Sequence, residues 1–195
     1  MFCVSPELIV ARLFCPEMKG DEAIMIAGAE RFSNAHGYAR QLRFSGPHHD
    51  ARGLLPAGAL ASFVVAIDAL DLRSGEVESQ YAPDFILREL SKAWVGFSIK
   101  DGPNEIATGN WGCGAFGGDP ELKSIIQWLA ISRVDRLMHY FPWDIAVVHR
   151  QFPTLANQLV EDGITIGQLV NFLLRELRPG SVYDQINRHF FSASV

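Results

Sequence analysis

The sequence has few cysteines and no long apolar run, and both absences limit what the chain can be. Its three cysteines, Cys3, Cys15 and Cys113, are an odd number without the spacing of a zinc site, so they support neither a disulfide framework nor a metal centre. No apolar stretch approaches the roughly 20 residues of a membrane-spanning helix. Pro6 and Glu7 stand where a signal peptide needs unbroken apolar sequence. We expect a nuclear or cytoplasmic protein with no membrane contact, metal or other cofactor.

Positive charge is scarce as well. The chain has 17 Lys and Arg against 22 Asp and Glu, which gives a net charge of −5. Binding to duplex nucleic acid depends on clustered Lys and Arg, so no direct DNA binding is expected. With 195 residues, of which 48% are hydrophobic, the chain is long enough for one domain with a core and short for two. A polyanionic ligand at a local pocket remains compatible with this composition.

The apolar pattern predicts strands alternating with helices. Four apolar runs are predicted as strands, the first two of them buried: 22–28, 63–69, 104–108 and 137–141. Five segments are predicted as helices: 5–14, 82–97, 120–130, 166–177 and 181–191. Residues 45–62 contain glycine, proline and a His48–His49 pair, and they are interpreted as a flexible surface connection. This order predicts an α/β layered fold with a helical C-terminal layer and no second domain.

Helix starts are marked by capping residues. Ser5, Asp119 and Thr165 each stand where an N-cap is expected. The helix at 82–97 is predicted to bury one face, formed by Phe85, Ile86, Leu90, Ala93 and Trp94. The helix after Asp119 is predicted to bury Leu122, Ile125, Ile126, Leu129 and Ala130.

The stretch "ATGNWGCGAFGGD", residues 107–119, is a glycine-rich loop between a predicted strand and a predicted helix. The amide groups at a helix N-terminus and the helix dipole favour an anion, and glycines allow the main chain to approach a phosphate closely. The loop lacks the Lys-Ser/Thr pair of a Walker A motif and the spacing of a dinucleotide-binding fingerprint. It therefore predicts a pyrophosphate-binding loop, and a turn that is tight only for packing is the alternative.

This loop and three other blocks resemble the poly(ADP-ribose) glycohydrolase family. The blocks "SPELIVARLF", "GAERFSNAHGYA" and "AIDAL" precede the loop in the family's order, and the resemblance weakens at 45–62. It implies a macrodomain-type α/β/α fold, of which residues 1–195 are the C-terminal portion of the catalytic domain. It also implies hydrolysis of ribose–ribose O-glycosidic bonds in poly(ADP-ribose), so the polymer or ADP-ribose is the expected partner.

The resemblance implies a substrate-binding site. The positions that match the family's diphosphate-binding loop are Asn110, Trp111, Gly112, Cys113, Gly114, Ala115 and Phe116. Phe116 would also pack against the distal ribose. Tyr38, in "HGYA", matches a tyrosine that lies against the adenine and its ribose. Trp143 stands where the family has a phenylalanine that stacks on adenine, and its indole offers a larger face for the same contact.

The sequence departs from the family in one respect. The family's chemistry uses a glycine triplet followed by a Gln-Glu-Glu motif, in which one glutamate is the general acid, and neither motif occurs here. The matching blocks would place that motif immediately before Met1. No residue of this chain is therefore assigned as catalytic.

Other candidate groups are interpreted as structural. Asp68 is expected to be a buried structural acid and Asp119 a helix cap, so neither replaces the missing acid. Cys113 is expected to be a small packing residue rather than a nucleophile activated by His139. The pair at 48–49 is interpreted as part of a solvated loop rather than a metal site.

Three hypotheses remain open at this point. The favoured one is a fragment of a poly(ADP-ribose) glycohydrolase whose catalytic segment lies upstream, so that the chain alone hydrolyses no polymer. The second is a catalytically dead ADP-ribose-binding module. The third is an unrelated α/β nucleotide-binding domain. The oligomeric state is not predicted.

Overall fold

The computed structural model describes residues 1–15, 17–37, 39–73, 75, 77–100 and 102–192. The chain divides into two compact units. The first comprises residues 1–19 and 23–66, and the second comprises residues 20–22 and 67–195. The first unit consists mainly of paired strands, and the second mainly of helices.

The first unit contains two antiparallel strand pairs. Its strands are β1 (Ile24–Gly28), β2 (Ser33–His36), β3 (Arg43–Pro47) and β4 (Leu60–Ala66), and its 3₁₀ helices are Pro6–Leu13 and Ala39–Gln41. Strand β1 pairs with β4, and β2 pairs with β3. The serine hydroxyl of Ser62 on β4 donates a hydrogen bond of 2.6 Å to the carbonyl of Ala29, which joins β4 to the segment that follows β1.

Several predictions for this unit need correction. The strand predicted at 63–69 forms at 60–66, and most residues of this strand and of β1 are half-buried rather than buried. The connection predicted at 45–62 contains the end of β3 and the start of β4. The first helix is 3₁₀ rather than α, and the side chain of Ser5 does not cap it.

The second unit begins with a 3₁₀ helix and contains five α-helices and one parallel strand pair among its described residues. These elements are Val77–Tyr81, α1 (Pro83–Phe97), β5 (Glu105–Gly109), α2 (Pro120–Arg133), β6 (Leu137–Phe141), α3 (Ala146–Glu161), α4 (Ile166–Arg175) and α5 (Val182–Phe191). Strands β5 and β6 run parallel, and Gly109 lies opposite Phe141. The order strand, helix, strand agrees with the predicted α/β arrangement, and the last three helices form the predicted helical C-terminal part.

Helix α2 lies at the centre of the core of the second unit. Its buried apolar residues are Leu122, Ile125, Ile126, Leu129, Ala130 and Ile131, which confirms the predicted face. Helix α3 contributes Phe152 and α5 contributes Tyr183, whose rings stack with centroids 6.3 Å apart. The Tyr183 hydroxyl also lies 2.6 Å from the hydroxyl of Ser124 on α2, so this buried polar pair is satisfied.

Helix α1 buries only part of the predicted face. Phe85 is 36% exposed and Trp94 is 47% exposed, whereas Ile86 and Ala93 are fully buried as expected. The helix instead buries charged residues beside its apolar ones, as the site described below shows. An apolar pattern could not predict this because the charges are paired with residues on other elements.

The predicted caps of two helices are confirmed. The Asp119 carboxylate accepts a hydrogen bond of 2.8 Å from the amide of Glu121 at the start of α2. Thr165 and Gln168 form a reciprocal capping box at the start of α4. In the described part of the chain, no helix has the length and apolar character needed to cross a membrane.

Candidate functional site

The glycine-rich loop leaves the C-terminal end of β5 and enters α2. Because β5 and β6 are parallel, the loop and the segment that follows β6 leave the same edge of the strand pair. Asn110 joins the two segments. Its side-chain amide donates a hydrogen bond of 2.8 Å to the carbonyl of Pro142, and its oxygen accepts one of 3.0 Å from the Tyr140 hydroxyl. The loop is thereby fixed one residue away from Trp143.

The inner part of the loop, residues 109–113 and 118, faces the protein. The indole N–H of Trp111 donates a hydrogen bond of 3.2 Å to the carbonyl of Ile67. Gly112 has a φ of +77°, and a Cβ atom there would lie only 2.6 Å from the Cβ of Ala69. At Gly118 a Cβ atom would lie 2.9 Å from the Gly112 carbonyl oxygen. These two glycines are therefore required by packing.

The outer part of the loop, residues 114–117, faces solvent. Gly114 and Ala115 are exposed, and a Cβ atom at Gly114 would have no heavy atom of the described residues within 4 Å. Phe116 is half-buried, and its carbonyl accepts a hydrogen bond of 3.0 Å from the amide of Leu72. The Arg73 guanidinium lies 5.3 Å from the centre of the Phe116 ring. This part of the loop leaves room for a ligand.

The amide groups of the loop divide into two sets. The amides of Trp111, Cys113, Gly117 and Gly118 donate to carbonyls within the loop. Four others donate to no acceptor in the described part of the chain: the amides of Gly112, Gly114, Ala115 and Phe116. Unpaired N–H groups just before a helix N-terminus are suited to bind an anion, because they and the helix dipole both favour negative charge.

Trp143 lies beside this loop in the chain segment that Asn110 fixes. Its side chain is 83% exposed, and its φ of +50° lies in the left-handed region that non-glycine residues seldom adopt. Such strain is typical of residues whose orientation matters for function. The indole is free to stack on a planar ligand. Tyr38, the other predicted adenine contact, lies outside the described residues.

A sequence model described as "Poly (ADP-ribose) glycohydrolase (PARG), Macro domain fold" matches residues 1–149. The chain belongs to the poly(ADP-ribose) glycohydrolase family. The match confirms the predicted macrodomain-type α/β fold and the resemblance found in the sequence. The residues of the binding site are not tested by it, and they remain predictions.

Curated relatives agree with the family assignment. Poly(ADP-ribose) glycohydrolase 1 of Arabidopsis thaliana is 31% identical over 262 residues, covering 98% of this chain and 47% of the relative. Probable poly(ADP-ribose) glycohydrolase 2 of the same plant is 33% identical, covering 86% of the chain and 39% of the relative. Poly(ADP-ribose) glycohydrolase 1 of Caenorhabditis elegans is 31% identical, covering 98% of this chain and 27% of the relative. The chain thus spans less than half the length of each of these relatives.

Asp119 acts as a helix cap, as predicted, and all of its polar groups have partners. One carboxylate oxygen accepts from the Glu121 amide, and the other accepts a hydrogen bond of 2.7 Å from the Tyr81 hydroxyl. Its own amide donates to the side chain of Gln80 at 2.6 Å. Burial and the Asp119 charge raise the pKa of Tyr81. These contacts leave Asp119 poorly suited to act as a general acid.

Cys113 is a packing residue in the structure, as the sequence indicates. Its thiol lies 3.5 Å from the Trp111 carbonyl, and burial raises its pKa from an ordinary value of 9.0 to about 12. His139, the other half of the hypothetical nucleophile pair, lies 3.1 Å from the carboxylate of Glu105. A thiol that stays protonated at neutral pH is a poor nucleophile.

Asp68 forms structural ion pairs, but the prediction that it is buried is wrong. Its side chain is 39% exposed and forms ion pairs with Arg88 and, at 2.7 Å, with Lys92.

The imidazole of His48 lies 3.1 Å from the side-chain oxygen of Asn34. Within the described ranges, no group of three or more His, Cys, Asp or Glu residues could hold a metal ion.

Three buried polar residues that support the loop were missed in the sequence. Gln127 accepts a hydrogen bond of 2.5 Å from Thr108 and donates one of 3.0 Å to the Gly109 carbonyl, which fixes the end of β5. Lys123 on α2 forms an ion pair with Glu89 on α1. Lys123 and Gln127 stand four positions apart among the apolar residues of α2, and this spacing on one face is a signal that could have identified the pair.

Burial has an electrostatic consequence for Lys123. Removal from water and the nearby Arg88 charge lower the pKa of the Lys123 ammonium to about 7. The carboxylate of Glu89 acts in the opposite direction, because an adjacent negative charge favours the protonated amine. Glu89 therefore opposes the lowering of the Lys123 pKa that burial and Arg88 produce.

Proposed function

We propose that this chain binds ADP-ribose units of poly(ADP-ribose) and supplies the diphosphate- and adenine-binding part of a poly(ADP-ribose) glycohydrolase. One observation supports this most directly. Four amides between Gly112 and Phe116 have no acceptor among the residues that the structure describes, and they lie just before the N-terminus of α2, where Gly114 has no described neighbour. Membership of the family supplies the substrate class.

The loop accounts for binding of the diphosphate. Its negative oxygens accept hydrogen bonds from the free amides, and the dipole of α2 adds to the attraction. Charge-assisted hydrogen bonds of this kind are stronger than those between neutral groups. Gly114 allows the phosphates to approach the main chain because it has no Cβ atom.

Aromatic side chains account for the remainder of the ligand. The exposed indole of Trp143 stacks on the adenine, and Phe116 packs against the distal ribose. The hydrogen bond between Asn110 and the Pro142 carbonyl sets the spacing between the diphosphate loop and Trp143.

Hydrolysis requires more than these residues supply. Cleavage of a glycosidic bond needs a proton donor for the leaving ribose oxygen and a group that activates water. Asp119 caps α2 and Asp68 is ion-paired, and the sequence contains neither a glycine triplet nor a Gln-Glu-Glu motif. We therefore infer that this chain contributes binding and does not cleave the polymer by itself.

Calorimetric titration of the chain with ADP-ribose, ATP and NAD tests the proposed ligand. We expect one saturable site with preference for ADP-ribose. Absence of ADP-ribose binding, or tighter binding of ATP or NAD, would contradict the proposal.

Incubation of the purified chain with poly(ADP-ribose) tests the second part. We expect the polymer to be retained by the chain and to remain intact. Release of free ADP-ribose, detected by chromatography, would show that the chain contains its own catalytic groups.

A further inference from the structure

A buried ion pair lies beneath the glycine-rich loop. The side chains of Lys123 and Glu89 are only 2% and 3% exposed, and their charged groups are in contact. Taking two charges out of water is costly, and such a pair often stabilises a protein no better than apolar residues of the same size. Its presence in the core therefore suggests a role besides stability.

The carboxylate of Glu89 is fixed from several sides. One oxygen accepts a hydrogen bond of 3.2 Å from the amide of Leu70 and one of 2.5 Å from the Arg88 guanidinium. The other oxygen pairs with Lys123. Helix α1 and the segment after β4 thus hold Glu89 in one orientation, and Glu89 in turn holds the Lys123 ammonium.

The Lys123 side chain contacts the inner part of the loop. Its ammonium lies 4.2 Å from the centre of the Trp111 ring, a distance typical of a cation–π interaction. A Cβ atom at Gly112 would lie 3.4 Å from the Lys123 nitrogen, and one at Gly118 would lie 3.1 Å from its Cε. The side chain therefore fills the space directly beneath these two glycines.

We propose that Lys123 is a positioning residue of the diphosphate-binding loop, holding the Trp111 ring and the main chain at Gly112 and Gly118 so that the free amides converge on one anion. The inference rests on the proposed function for its ligand. Lys123 itself does not touch the ligand. It acts by preorganising the donors, which reduces the ordering that binding would otherwise require.

Four variants of the full chain separate positioning from stability. These are Lys123→Met, Glu89→Gln, the double variant with both changes, and Lys92→Met as a matched control. Lys92 is also a fully buried lysine, and it pairs with Asp68 on the far side of the same charge network. Each protein is measured for its unfolding midpoint, its ADP-ribose affinity and the hydrogen-exchange rate of the Trp111 indole N–H, whose signal is assigned with Trp111→Phe.

The two single changes at the ion pair should lower the unfolding midpoint, because each leaves a buried charge without its partner. The double variant removes both charges, so its unfolding midpoint should return most of the way to that of the unmodified chain. Its ADP-ribose affinity should nevertheless stay about fivefold below that of the unmodified chain, because the cation over Trp111 is missing. The indole N–H should exchange about fivefold faster in both proteins that lack Lys123. Lys92→Met should lower the midpoint while leaving affinity and exchange unchanged.

The inference would be overturned if the double variant showed the ADP-ribose affinity and the indole exchange rate of the unmodified chain. Lys123 would then have only a structural role. The double variant keeps the test decisive if Lys123→Met fails to fold. If the unmodified chain does not bind ADP-ribose, the proposed function fails. The exchange rate still decides separately whether Lys123 holds Trp111, and an unchanged rate would show that it does not.

Discussion

The inner and outer parts of the glycine-rich loop have similar composition and different surroundings. In the inner part, a Cβ atom at Gly109 would lie 2.7 Å from the Phe141 carbonyl oxygen, and one at Gly112 would collide with Ala69. In the outer part, a Cβ atom at Gly114 meets none of the described residues within 4 Å. The same residue type therefore serves close packing at two positions and, in our proposal, ligand approach at the third.

The backbone groups follow the same division with one exception in each part. The inner amides of Trp111, Cys113 and Gly118 donate to carbonyls of the loop itself, whereas the outer amides of Gly114, Ala115 and Phe116 have no acceptor in the described ranges. The exceptions are Gly112, an inner residue whose amide has no acceptor there, and Gly117, an outer residue whose amide donates to the Gly114 carbonyl. The packed inner part holds the outer part, which in our proposal binds the ligand. Substitutions in the two parts should consequently change different measured quantities.

The largest effect is expected for Gly114→Val in the outer part. The protein has space for the new side chain, but the diphosphate would lose its close approach to the amides. ADP-ribose affinity should fall about a hundredfold, corresponding to the loss of about two charge-assisted hydrogen bonds. Titration calorimetry measures the affinity, and the thermal midpoint should change by no more than about one degree. Gly53→Val, at another glycine with open space around it, is the matched control and should bind normally.

Gly112→Ala tests the inner part. The added methyl group would collide with Ala69 and would also force alanine into a left-handed backbone conformation. The free energy of unfolding should fall by about 2 kcal/mol in urea titrations. Gly20→Ala, where a Cβ atom has no described neighbour within 4 Å, should leave stability almost unchanged. Equal stability of the Gly112→Ala variant and the unmodified chain would break the comparison between the two parts.

Trp143→Ala tests the aromatic partner of the outer part. Loss of stacking on adenine should weaken ADP-ribose binding about tenfold, because a base–aromatic stack contributes about 1–3 kcal/mol. Trp143→Phe should retain most of the affinity. Trp94→Ala, which removes another partly exposed tryptophan from α1, is the control for general effects on the fold. Unchanged affinity in Trp143→Ala would remove this residue from the site.

The smallest effect concerns the Cys113 thiol of the inner part. Its pKa is raised to about 12 in the folded chain, so the thiol stays protonated there while the unfolded chain ionises near 9.0. The contribution of this thiol to stability is fully present below its pKa in the unfolded chain. It is lost as the pH rises towards its pKa in the folded chain. Between neutral pH and about pH 10, the free energy of unfolding of the unmodified chain should fall by about 1.4 kcal/mol more than that of Cys113→Ala. An equal loss in both proteins would show that the thiol is not desolvated.

The helices of the second unit were largely predictable from the sequence. Asp119 and Thr165 cap α2 and α4 as expected, because the capping signals act between residues only two or three positions apart. The apolar face of α2 was also correct. Helix α1 was predicted at the right place with a face that is only partly correct, since Glu89 is also buried through partners on other elements.

The strands of the first unit were less predictable. Strand β1 was expected, but β2 and β3 were not, and "SNAH" and "RFSGP" carry little strand signal of their own. Their pairing comes from hydrogen bonds between chain segments rather than from apolar alternation. Tertiary contacts of this kind override local propensity.

The candidate site was predicted in outline. The glycine spacing and the family resemblance identified the loop and Trp143, and the structure adds which loop amides have no acceptor among the described residues. The backbone interactions of Asn110, Trp111 and Cys113 could not be read from the sequence. Their partners lie on β6, on the segment after β4 and within the loop itself.

The sequence by itself determined the family, the position of the glycine-rich loop and the starts of the helices that follow it. These features depend on residue type and short spacing, and both are visible along the chain. Only the tertiary structure decided which glycines face protein and which face solvent, and that Lys123 and Glu89 are buried together beneath Trp111. The physical reason is that burial and charge pairing depend on distances between elements far apart in sequence, and these distances are set when the elements pack.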